Sequence, residues 1–99
     1  GLLDFIHSPS RLKYPEVRKA GSNEWVRVSG GDALDRVAEL MKKDRDANFI
    51  AKNAQGQTVN RWVSTGFLAA SAASSEAGYL THKVIRATGM LGFDNQARV

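Results

Sequence analysis

Polar and apolar residues alternate along Arg11-Leu12-Lys13-Tyr14-Pro15 and again along Glu24-Trp25-Val26-Arg27-Val28. A period of two marks a strand with one covered face. The turn residues Ala20-Gly21-Ser22-Asn23 lie between these runs, which together predict a small hairpin or ribbon. Before it, Leu2-Leu3-Asp4-Phe5-Ile6-His7 predicts a short helical turn, stopped by Pro9, because the residue before a proline is pushed out of the α region. The period then lengthens. Leu34, Val37, Ala38 and Met41 recur at helical spacing behind Ser29, an N-cap with Asp32 three residues on, where a capping box places its acid. The helix is expected to reach about Ala47, with Asp35, Arg36, Glu39, Lys42 and Lys43 on its polar face.

Asn53-Ala54-Gln55-Gly56-Gln57 reads as a turn, and Thr58-Val59-Asn60-Arg61-Trp62-Val63-Ser64 as a β-prone run. After Gly66 the small-residue stretch Phe67-Leu68-Ala69-Ala70-Ser71-Ala72-Ala73-Ser74 lets backbone approach backbone or ligand closely. Ser74 or Ser75 then caps a second helix, with Glu76 in its first turn, Leu80, Val84 and Ile85 on one face, Lys83 and Arg86 late, and Gly89 as its stop. Leu91-Gly92-Phe93-Asp94 leads into residues 95–99, where a further short strand would complete a β–α–β unit. The predicted class is α/β: a small β-ribbon, a helix, and a Rossmann-like β–α–β unit. The 99 residues are read as a single fragment, with an extended segment over 1–28 and a partial α/β domain over 29–99.

Composition narrows the chemistry. Cysteine is absent, so the chain's own residues cannot build a disulfide framework, a zinc knuckle, an iron–sulfur site or a cysteine nucleophile. The formal charge of +4 could attract nucleic acid or an anionic cofactor, but Asp32, Asp35, Glu39, Asp44 and Asp46 are interspersed with the bases, as on an ordinary solvated surface. His7 and His82 have no ligand-spaced partners, and both read as surface or packing residues. A nucleophile–base–acid set can be imagined from Ser64, His82 and Asp94, but no strained Gly-x-Ser-x-Gly turn marks a nucleophile. Gly30-Gly31 lacks the glycine spacing and the Lys-Ser/Thr pair of a phosphate loop, and reads as a flexible approach to the first helix. Ser71 to Ser75 feeds a helix N-terminus, which offers N–H groups and a favourable dipole to an anion, although close helix packing explains the same residues. Trp25 and Trp62 are expected in the core.

Some stretches resemble a known family. Arg11-Leu12-Lys13-Tyr14-Pro15-Glu16-Val17-Arg18, followed by Trp25-Val26-Arg27-Val28-Ser29, is similar to the pattern of the bis-pterin molybdopterin oxidoreductases. Asn60-Arg61-Trp62-Val63-Ser64-Thr65-Gly66, Gly89-Met90-Leu91 and above all Asp94-Asn95-Gln96-Ala97-Arg98-Val99 resemble the catalytic subunits of the molybdenum- or tungsten-dependent formate dehydrogenases of the respiratory, membrane-associated type. The chain departs from the family pattern at Gly30-Gly31, where Trp and an acid are usual, and at Ser75, where Asn is common.

The resemblance implies a piece of a larger oxidoreductase that oxidises formate to carbon dioxide. Its cofactors would be a molybdenum or tungsten bis(pterin guanine dinucleotide) and a 4Fe-4S cluster. The family's iron–sulfur cysteines lie upstream of a segment like Gly1-Leu2-Leu3-Asp4, and its metal-ligating selenocysteine or cysteine follows a segment like Asp94 to Val99. Selenocysteine is encoded by UGA, so the expectation is that the chain's end reflects that codon. Ser71, Ser75, Asn95 and Arg98 are the expected cofactor-side residues, with no catalytic or metal-ligating residue in the chain itself. The implied partners are the rest of the catalytic subunit and, in the parent complex, iron–sulfur and membrane cytochrome subunits, on the periplasmic side of a membrane. No nucleic acid is expected. The competing readings are a small basic nucleic-acid-binding domain and a structural domain that associates through uncovered apolar surface.

Overall fold

A computed structural model describes residues 1–96 of the chain, which falls into two compact units, Gly1–Glu39 and Leu40–Val99. The predicted α/β class holds, and Arg98 lies outside the described residues.

The first unit opens with α1, Leu2–Ile6, and continues into an antiparallel hairpin of β1, Glu16–Arg18, and β2, Trp25–Arg27. Gly21 takes a left-handed φ of 77° in the connection, and the Ser22 hydroxyl accepts the Glu24 N–H at 3.0 Å, so the turn closes on its own side chain. The first strand starts later than the alternation at Arg11 to Pro15 predicts. Arg11 N–H donates to the Ser8 carbonyl and its guanidinium to the Ile6 carbonyl, both at 3.1 Å, which curls this stretch. Pro15 has no N–H for a ladder, although its carbonyl accepts from Val28 N–H at 3.0 Å, so regular pairing begins one residue further on. Trp25 is not a core residue: it is 63% exposed. A hairpin of two three-residue strands has no second layer over that face, and the indole carries the guanidinium of its cross-strand partner Arg18.

The helix α2 spans Gly30–Asn48. Ser29 caps it as its sequence predicts, accepting the Asp32 N–H at 3.0 Å and donating its own proton to the Asp32 carboxylate at 2.7 Å. The expected apolar stripe is only partly used. Leu34 and Val37 are exposed, whereas Met41 packs on the core of the second unit to which it belongs.

That second unit holds a three-stranded sheet in the order β3-β4-β5, formed by Ile50–Lys52, Thr58–Ala69 and Met90–Asn95. β3 pairs antiparallel with β4 through the turn at Asn53 to Gln57, where Asn53 Oδ1 accepts from both Gln55 and Gln57 N–H groups and Gly56 takes a φ of 78°. β4 and β5 are parallel, joined by α3, Ser75–Thr88. Trp62, Ile85 and Met90 are buried, and Met41, Phe49 and Phe93 pack around them.

The closing strand lies five residues earlier than residues 95–99, and the cause is Gly89. At φ 86° it ends α3 in the left-handed cap only glycine enters freely, and its carbonyl accepts the Trp62 N–H at 2.7 Å. Met90 is therefore already beside β4. β4 in turn outruns its predicted end at Ser64, taking in Gly66 to Ala69 as strand. Gly66 and Gly92 face each other there, so close that a Cβ on Gly66 would stand 3.1 Å from the Gly92 carbonyl oxygen.

Candidate functional site

The parallel pair brings two ends together. Phe67, Leu68 and Ala69 of β4 stand opposite Phe93, Asp94 and Asn95 of β5, and Gln96 N–H closes the edge by donating to the Ala69 carbonyl at 3.2 Å. Beyond Ala69 the chain crosses Ser71 and Ser74 into α3, so the carboxyl ends of both strands and the start of a 14-residue helix share one edge. Open α/β sheets gather ligands at such an edge.

Of the expected residues, Asn95 ends β5, and its side-chain Oδ1 is enclosed yet accepts no hydrogen bond from the described residues. Enclosed carbonyls of this kind normally find a donor. Ser71 is exposed on the segment that links β4 to α3, and Ser75 is exposed at the start of α3. Between the two cap candidates the geometry selects Ser74: its φ and ψ of −66° and 155° are extended, and its hydroxyl accepts the Ala77 N–H at 3.2 Å. Ser75 is the first helical residue, its side chain left to solvent.

No catalytic triad forms around Ser64. Its hydroxyl donates to Asp44 at 2.5 Å and accepts from the Trp62 indole at 2.9 Å. His82 instead lies parallel to the Phe93 ring at 5.4 Å and accepts from Arg86 Nε at 3.1 Å. Among the described residues no group of three His, Asp or Glu side chains could hold a metal ion, and no helix is long and apolar enough to cross a membrane.

The polar centre that the sequence reading missed is Asp44. Its Oδ2 accepts from Trp62 Nε1 at 2.8 Å, Ser64 Oγ at 2.5 Å and Thr65 Oγ1 at 2.6 Å, while Oδ1 accepts from Asn48 at 2.9 Å. The hydroxyls of Ser64 and Thr65 and the indole N–H, in that order, hold its carboxyl below the ordinary value of 3.8, outweighing the opposite effect of burial. Beside it Arg45 donates to the Thr88 carbonyl at 2.8 Å, satisfying the last turn of α3. The signal was present in the helical spacing. Continuing from Met41 by three and four residues gives Asp44 and Arg45, polar residues that are half-buried on the same face of α2 as Met41, with Asn48 a further turn on at its exposed end.

No protein-family model matches the chain. It is, however, 66% identical over all of its 99 residues to the formate dehydrogenase-O major subunit of Escherichia coli (strain K12), and 62% identical over the same length to that organism's nitrate-inducible formate dehydrogenase major subunit. Against the formate dehydrogenase major subunit of Haemophilus influenzae it is 54% identical over 97 residues, or 98% of the chain. With its parallel β–α–β unit and polar edge, the chain is a segment of a mixed α/β enzyme subunit. It belongs to the formate dehydrogenase major subunits, and spans about a tenth of the length of the relatives it matches.

Proposed function

We propose that these residues serve as scaffold within the catalytic subunit of a formate dehydrogenase, in which formate gives up two electrons and a proton to become carbon dioxide. The observation that carries this reading is the 66% identity sustained over the entire chain. Electrons would leave through a 4Fe-4S cluster held elsewhere in the subunit, toward iron–sulfur and membrane cytochrome subunits of a periplasmic complex.

The parent's cofactor would be a molybdenum or tungsten bis(pterin guanine dinucleotide), whose metal supplies the two-electron chemistry when bound. The donor set of this chain fits the organic part of such a group rather than its metal. Asn95 Oδ1 is an enclosed acceptor with no donor among the described residues, and a pterin edge is rich in N–H groups. Asn95 would orient the pterin. Ser71 and Ser75, ahead of and within the first turn of α3, would offer hydroxyls beside a helix N-terminus suited to a pyrophosphate. Arg98 is proposed on family resemblance to order the turn that presents the metal ligand.

A hybrid tests the reading: the 99 residues replace the matching stretch of the E. coli formate dehydrogenase-O major subunit. The hybrid is expected to oxidise formate with a dye acceptor, whereas the isolated chain is expected to show no activity. A hybrid that folds and fills with cofactor but leaves formate untouched would overturn the proposal.

A further inference from the structure

β4 does not pair with β5 one residue for one. Trp62 stands opposite Met90 and Gly66 opposite Gly92, so four steps along β4 are matched by two along β5. The excess falls on Val63 to Thr65, where Ser64 and Thr65, neighbours that a regular strand would send to opposite faces, both donate to one oxygen of Asp44. A regular ladder continued from Trp62 would set Ser64 against Gly92 and Phe67 against Asn95. Such a slip of two residues keeps every side chain on its own face, so the apolar pattern penalises it little. Two contacts distinguish the observed register: the Asp44 carboxylate holding the excess residues, and a glycine opposite Gly92, where a Cβ would crowd the Gly92 carbonyl oxygen at 3.1 Å.

We propose that Asp44 is a positioning residue for the carboxyl edge: by gathering Trp62, Ser64 and Thr65 it fixes the irregular stretch of β4 and thereby the row on which Asn95 meets Ala69. The carboxylate reaches across from α2, 18 to 21 residues earlier in the chain, so the register of the strand pair is written outside it. Asp44 acts through β4 and touches no part of the edge directly.

The test uses amide hydrogen exchange in the full-length hybrid subunit, comparing Asp44→Ala, Asp44→Asn and the double variant Ser64→Ala/Thr65→Val. Asp44→Ala is expected to speed exchange at Phe67 to Ala69 and Phe93 to Gln96 by roughly tenfold, as expected when hydrogen bonds to a charged acceptor are lost. Exchange in β1 and β2 should stay unchanged. Asp44→Asn keeps a carbonyl acceptor and should restore part of the protection, and the double variant should reproduce the alanine result with Asp44 in place. Unaltered exchange at the edge, or a rise spread evenly over the segment, would overturn the inference. If Asp44→Ala does not fold, the other variants give the same reading. Exchange is read whether or not the hybrid oxidises formate, so this inference and the proposed function fail separately.

Discussion

At the scale of single residues, backbone geometry sets the sharpest expectations. A Cβ at Gly89 would sit 2.6 Å from the Asn60 carbonyl oxygen, at a φ of 86° that L-residues avoid. Gly89→Ala is expected to cost at least about 2 kcal/mol in urea denaturation of the chain, left-handed strain adding to a backbone clash that cannot relax. Ser74→Ala should cost about 1 kcal/mol, the usual worth of an N-cap, and Ser75→Ala less than about 0.5 kcal/mol, measured the same way. Asp44 brings a pH dependence. Because its folded carboxyl titrates below 3.8, its contribution is fully present above that pH and drains away as pH falls through the lowered value. Urea titrations at a series of pH values should therefore show the wild-type chain's advantage over Asp44→Asn intact above about pH 4 and shrinking in more acid solution. An advantage that persists unchanged far into acid would contradict the hydrogen-bonded arrangement.

At the scale of elements, the sequence disclosed what local chemistry dictates and concealed what long-range contacts dictate. Ser29 with Asp32, the Asn53 to Gln57 turn and the Gly89 stop are each settled within a few residues, and each was legible. Strand ends were not. Whether β4 stops at Ser64 or runs to Ala69 depends on β5 lying beside it, and that depends on Gly89 reaching Trp62 from 27 residues away. β3, three residues long, carries too little pattern to be seen at all. The polar stripe of Asp44, Arg45 and Asn48 was visible as spacing, but its meaning required knowing that β4 and the end of α3 lie against it. Trp62 joins the two kinds of information, being wholly buried while its N–H meets Asp44. Trp62→Ala should cost about 3–5 kcal/mol, enough to leave the second unit unfolded in a circular dichroism melt.

At the scale of the whole molecule, the apolar residues exceed what the fold covers. Trp62, Ile85 and Met90 are buried, while Leu34, Leu40, Leu68 and Tyr79 are each more than half exposed, and Leu80 and Val84 line an open apolar hollow of about 350 Å³ against Phe67 and Met41. Parallel strands are ordinarily covered on both faces. Sedimentation of the isolated chain is therefore expected to give a mass that rises with concentration, and a mass fixed at the monomer value of 10.8 kDa would contradict it. The candidate site divides in the same way. Ser71 and Ser75 could be singled out as the approach to a helix N-terminus and Asn95 from family resemblance, but that Asn95 stands opposite Ala69 follows from a parallel pairing no local motif announces.

The contact between Gly66 and Gly92 has a genetic consequence. A side chain at either position claims the same few ångströms, since a Cβ on Gly92 would meet the Gly66 Cα at 3.3 Å. Once one substitution has forced the strands apart, the second finds the space already open. In a saturation library the two positions should thus behave as a single locus, with double substitutions hardly worse than the harsher single one, and natural variants of this segment should lose both glycines together or neither.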